Sequence, residues 1–280
     1  MSTVNTSQNA NLIIFVNSLI YFLLAYFFVI LLNNLFSILL ALPMGFEATL
    51  YFYGFDLTLK EGTVWTKENI FVIYLLGPSI TLFSGIIFEF WYKKRRKHLS
   101  KRKLFLLWVY VISYTWFFGN LIVGSLFYFG IGVALGEMQV SLFLKLMLAL
   151  LSFVFLLYLG FRSQKNVVIS ANCYYHKISG LKIGSFFSRQ IVLPALVGML
   201  FIALYRTPYL GAWGYYDSFV LFLVVLFAIG LLFRFGRLKS LMFKRRTDHF
   251  SFSLGPLVLL LAIVALLRIG LATGLPIHLY

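Results

Sequence analysis

The chain has 280 residues, with 24 Lys and Arg against 8 Asp and Glu, a formal charge of +16. Hydrophobic types make up 61% and charged types 11%, whereas a soluble protein carries roughly a quarter charged residues. This balance excludes a water-soluble domain. It predicts an all-α, polytopic transmembrane helix bundle, with residues 1–280 as a single integral membrane domain.

The first eleven residues are polar and lack Lys and Arg. A secretory signal needs a positive start and a small-residue cleavage site, so the first apolar run is expected to be a permanent span. Crossing the hydrocarbon takes about 20 apolar residues. Seven runs are candidates: Leu12–Leu42, Ile70–Trp91, Leu104–Gly136, Val140–Phe161, Ile191–Tyr205, Ser218–Phe233 and Leu254–Gly274. The fifth reaches that length by extension back through Gly184, and the sixth by extension into Arg234. The first and third runs are long enough to hold re-entrant pieces. A break in the third is expected at Gly119-Asn120. A turn at Asn33-Asn34 would divide the first and give eight spans; the reading adopted is seven.

Three loops hold most of the positive charge: Tyr92–Lys103, Arg162–Arg189 and Arg234–Asp248. The alternate segments carry Glu47, Asp56, Glu61, Glu68, Glu137 and Asp217. By the positive-inside rule the basic loops face the cytoplasm and the C-terminus lies outside. The expected location is the cytoplasmic (inner) membrane. The partners are then the bilayer, its anionic inner-leaflet lipids and a possible membrane-protein partner. Nucleic acid is not expected, since the charge is explained by topology. Aromatic stretches at Tyr51-Phe52-Tyr53 and from Tyr209 to Tyr216 suit an interfacial belt.

Ionisable groups inside spans are costly and mark candidate sites. Glu89 stands four residues before Lys93, on one helix face; an interfacial ion pair is the plain reading, a transport carboxylate the sharper one. An interfacial pair alone would let Glu89→Ala fold normally. Lys145 lies near the outer end of its span, placed to snorkel. Arg268, with Glu137, Arg206 and Asp217, could form a polar cluster at the outer mouth. Asn33, Asn34, Ser37 and Asn120 serve either as glue between helices or as the lining of a cavity. Gly77-Pro78, Pro194 and Gly255-Pro256 predict kinks, and Gly132 with Gly136 predicts close helix packing.

Signatures of chemistry are scarce. There is no H-E-x-x-H and no P-loop, and the four histidines, His98, His176, His249 and His278, fall in loops or tails. Cys173, beside His176 in a basic loop, reads as a spare thiol. No metal or other cofactor is expected.

The order Asn33-Asn34-Leu35-Phe36-Ser37, then Gly77-Pro78, then Gly119-Asn120 leading to Glu137 resembles the site-2-type intramembrane metalloproteases. The resemblance covers about half the chain. Both histidines and the catalytic glutamate of that family are missing, so it implies an inactive relative without zinc or proteolysis.

Three function classes remain open. The first is a non-enzymatic membrane component that binds or assembles; a sealed interior would count against it. The second is a small transporter or exporter subunit, marked by a water-accessible cavity reaching the midplane beside Asn120 or Asn33. The third is a lipid-modifying enzyme or a degenerate protease-like scaffold, marked by an outer pocket gathering Glu47, Glu137 and Arg268. Impermeant labelling of intact vesicles is expected to reach the three basic loops from one face only; labelling of two successive basic loops from opposite faces would overturn the threading.

Overall fold

The computed structural model describes residues 2–60, 64–209, 212–233, 240–244 and 247–278. Six helical stretches are long and apolar enough to cross a membrane: Asn9–Met44, Lys67–Arg95, Lys103–Phe127, Leu142–Cys173, Lys182–Arg206 and Gly214–Leu232. A shorter apolar helix, Leu254–Gly270, follows. Glu61 and the basic residues Arg234, Arg237, Lys239, Arg245 and Arg246 lie outside the described residues.

Helix α1 (Ser2–Ala41) runs unbroken through Asn33-Asn34, which removes the eight-span alternative. It packs against α2 (Lys67–Arg95), α3 (Lys103–Phe127), α7 (Leu193–Arg206) and α10 (Leu254–Gly270). That central position explains why α1 is apolar nearly all round. A hairpin follows it, β1 (Phe46–Tyr51) and β2 (Gly54–Leu59). In β1 the side chains of Phe46, Ala48 and Leu50 are buried, the two-residue period of a half-buried strand. Thr66 then caps α2, its hydroxyl accepting from Asn69 N at 3.2 Å.

The expected break at Gly119-Asn120 does not occur. Helix α3 passes straight through, and Asn120 donates to its own helix, to Trp116 O at 2.7 Å. The break comes later, where Tyr128 adopts φ 55° and its N–H returns to Gly124 O at 3.1 Å. The short helix α4 (Ile131–Glu137) follows. Gly132 packs closely, as its pattern predicts, but against this turn: a Cβ there would lie 1.8 Å from Gly124 O. Next come α5 (Leu142–Ser170), β3 (Lys177–Ile178), and α6 (Leu181–Phe187), which passes through a π turn into α7. The chain ends with α8 (Ala212–Phe222), α9 (Val224–Leu232), β4 (Leu241–Met242), α10 and β5 (Leu275–Ile277).

Strand pairing and side-chain contacts define two ends of the molecule. At one, β5 joins β1 antiparallel to complete a sheet of order β2-β1-β5. At the other, β3 pairs with β4, joining the second and third basic loops. The first loop is tied in by Arg96, donating to Asn166 Oδ1 at 2.9 Å, and by Lys103, which donates to Asn172 Oδ1 and to the carbonyls of Arg96 and His98. Lys101 bonds Ser251. The basic loops thus share one end, and the sheet occupies the opposite one.

Gly132→Val is expected to abolish membrane accumulation of folded protein, measured by fluorescence-detected size exclusion of a tagged chain. Gly184→Ala is the matched control, because nothing lies within 4 Å of its Cβ position; normal Gly132→Val accumulation would refute the tight α3–α4 turn.

Candidate functional site

Four helices and the hairpin line a cleft of about 290 Å³ toward the sheet end. Helix α1 contributes Asn33, Asn34 and Ser37, and α2 contributes Ile73, Tyr74 and Pro78. Helix α3 supplies Trp116 and Asn120, and α8 supplies Tyr216 and Asp217. The hairpin adds the continuous run Tyr53, Gly54, Phe55, Asp56 and Leu57. Successive side chains of a strand point to opposite faces, so a cavity that touches every residue of such a run borders the strand's edge. Among the described residues β2 pairs with β1 alone, leaving its other edge open.

Local chemistry explains the walls. Pro78 withdraws the intrahelical donor that the carbonyl of residue 74 would use, weakening the ladder of α2 beside the cleft. Gly77 lets α1 approach: a Cβ there would fall 2.1 Å from Ser37 Oγ. Tyr216 donates to Asn120 Oδ1 at 2.7 Å, clasping α8 to α3. Asn33 Nδ2 donates to Asn34 Oδ1 at 3.2 Å.

Two cleft residues keep an unsatisfied polar atom. Asn33 is 8% exposed and its Oδ1 has no hydrogen-bond partner; Trp116 is 4% exposed and neither does its Nε1. One is an acceptor and the other a donor. Buried groups of this kind normally find a partner, and leaving one unmade costs about 1–3 kcal/mol.

Charge in the cleft runs against that of the chain. Its lining includes Asp56 and Asp217 but no Lys, Arg or His, together with six aromatic residues. Asp217 is held by Arg206 at 2.6 Å, whereas Asp56 is exposed on β2. Trp116 stands near the middle of α3 and Pro78 near the middle of α2, so the cleft reaches the centre of the bundle.

The expected outer cluster forms only in part. Arg206 and Asp217 pair, with Arg206 buried. Arg268 instead donates to Tyr205 O at 2.5 Å and Thr207 O at 2.8 Å and lies 4.2 Å from the Phe52 ring centre. Glu137 accepts from the Tyr128 hydroxyl at 2.8 Å, and this bond holds the Tyr128 phenol pKa above its ordinary value. Lys145 sits 5.9 Å from the Tyr128 ring. Glu47 lies on β1 opposite Thr58. Glu47, Glu137 and Arg268 do not line the cleft. The aromatic stretches do more than face an interface: Tyr53 stacks on Tyr209 at 5.1 Å, and Phe52 meets Tyr205 at 5.6 Å, which ties the sheet to the end of α7.

Glu89 lies toward the basic end. It pairs with Lys93 at 2.5 Å and Arg162 at 3.1 Å, and accepts from the Tyr114 hydroxyl at 2.6 Å. It is 4% exposed, while the Lys93 and Arg162 side chains are 37% and 46% exposed, so the anticipated ion pair joins three helices with its cations at the surface. Between Glu89 and the cleft lie Thr81, Ser84 and Ser113. Thr81 donates to Pro78 O and Ser84 to Thr81 O, at 2.6 and 2.8 Å, and the Ser84 and Ser113 hydroxyls lie 3.0 Å apart.

The cleft lining holds two carboxylates, Asp56 and Asp217, but no His or Cys, and Asp217 is taken by Arg206, so it lacks the ligands that a zinc site needs. Among the described residues no group of three His, Cys, Asp or Glu is placed to hold a metal. Comparison with protein families, characterised proteins and solved structures finds no match.

Glu89→Ala is expected to lower the thermal midpoint in detergent, because the Tyr114 hydroxyl loses its acceptor at a cost of about 1–3 kcal/mol. Glu89→Gln should fall between Ala and wild type, since an amide oxygen can still accept. An unchanged midpoint for Ala would return Glu89 to a purely interfacial role.

Proposed function

We propose that this protein is a non-enzymatic, membrane-embedded binding component, and that its cleft receives an extended polypeptide segment. The carrying observation is the pair of unsatisfied buried atoms, Asn33 Oδ1 and Trp116 Nε1. A peptide group offers one donor and one acceptor, the complement of this pair. The open edge of β2 offers backbone pairing of the kind by which sheets capture extended chains. Asp56 and the aromatic lining favour a basic side chain at the mouth. The basic loops are then cytoplasmic and the cleft opens outside, in keeping with the positive-inside rule.

The stretches that carry the resemblance to intramembrane metalloproteases converge here: Asn33, Asn34, Ser37, Pro78 and Asn120 all line the cleft, whereas Glu137 does not. That convergence supports kinship with such a scaffold, without its metal or its proteolysis.

A transport reading has one observation in its favour, the depth of the cleft beside Asn33 and Asn120. Against it, the hydroxyls of Thr81 and Ser84 are turned onto carbonyls of their own helix. This is packing that joins helices rather than a wetted path.

A photo-crosslinking residue in place of Asp56 is expected to capture a polypeptide in intact membranes, and Asn33→Leu should reduce the yield severalfold while leaving the amount of folded protein unchanged. Failure to capture any polypeptide, or a yield indifferent to Asn33→Leu, would overturn the binding reading. Substrate flux in proteoliposomes would favour transport.

A further inference from the structure

A second cavity, of about 830 Å³, lies on the other side of α1, between that helix and α10. Its walls are apolar: Leu24, Phe28 and Leu31 on α1, Leu259, Ile263 and Leu266 on α10. Arg102, at the start of α3, is the one charged residue in its lining.

The gap is built into the fold, because α10 is pinned at both ends. At its N-terminal end Ser253 N donates to Asn17 Oδ1 at 2.8 Å, and Asn17 Nδ2 donates to Ser251 O at 2.9 Å. Beyond its C-terminal end, β5 joins the sheet, and Arg268 grips the carbonyls at the end of α7. Between these anchors only Leu260 of α10 is buried. Leu257, Ile263, Val264 and Leu267 pack part-buried against the core, and the rest of the helix is largely exposed.

A hole of this size and chemistry cannot be filled by water, which needs polar partners. Hydrocarbon fits it, since an acyl chain packs against such walls and asks for no polar partner. The polar end is equally defined. Arg102 is exposed, and it lies at the end of the molecule that gathers the basic loops, where an anionic headgroup is attracted.

We propose that this groove is a specific site for one anionic glycerophospholipid, with an acyl chain between α1 and α10 and its phosphate on the Arg102 guanidinium. The site is separate from the cleft and does not depend on the function proposed for it.

Native mass spectrometry of the full chain in detergent tests this, with phosphatidylglycerol and phosphatidylcholine of identical chains added in turn. Wild type should retain one phosphatidylglycerol about fivefold more tightly than phosphatidylcholine, the worth of one cationic side chain near a headgroup. Arg102→Gln should remove that preference and Arg102→Lys should keep it. Ala262→Trp, which fills the groove, should abolish the single bound adduct of both lipids while the melting profile shows the chain folded. Inorganic phosphate should not displace the lipid. Equal retention of the two lipids by wild type, a preference that survives Arg102→Gln, displacement by phosphate, or a tight adduct that persists in folded Ala262→Trp would each overturn the proposal.

Discussion

Hydrocarbon offers no hydrogen bonds, and a polar group surrounded by it must find its partner inside the protein. The arrangement of this bundle follows from that constraint. Hydroxyls along α2 turn back onto carbonyls of their own helix. Glu89 gathers two cations and a phenol from its own helix and two others. Arg206 closes on Asp217, and Asn17 ties the loop before α10 to α1. The Glu89 and Asn17 contacts join elements distant in sequence. Several buried polar atoms lack a partner, among them those of Tyr110, Thr115 and Gln190, and those on Asn33 and Trp116 differ in lying in the wall of a cleft.

Spans were legible in the sequence because hydropathy is a bulk property that survives ignorance of packing. The grouping of the three basic loops at one end was legible for a similar reason, since charge asymmetry reports which segments share a face. Irregular structure was far less so. Tyr51-Phe52-Tyr53 reads as an aromatic stretch beside an interface, yet Tyr51 ends the central strand of a sheet completed by residues more than two hundred positions later. No local signal announces that pairing. The α3 break was misplaced because Gly119 and Asn120 look like a turn. Asn120 satisfies itself on Trp116 O, and the helix continues until Tyr128 takes the left-handed conformation.

The candidate site divides along the same line. Asn33, Asn34, Ser37 and Asn120 stood out as polar residues in apolar runs, and the structure brings them to one cleft. Trp116, Tyr216 and the β2 edge did not, because a chain with 32 Phe and 17 Tyr gives no single aromatic residue any prominence. The outer cluster shows the converse error. Shared proximity to one end of the bundle is a weak guide to contact when helix adjacency is unknown, and Glu137, Arg206 and Arg268 found different partners.

Helix α1 is the wall common to both cavities. Leu31 faces the groove beside α10, and Asn33 and Asn34, within one turn of it, line the cleft on the other side. Packed interiors transmit displacement rather than absorb it. Helix α10 meets α1 beside the groove, and α2 meets it on the cleft side through the close approach at Gly77. The one helix thus sets both the apolar wall of the groove and the polar wall of the cleft.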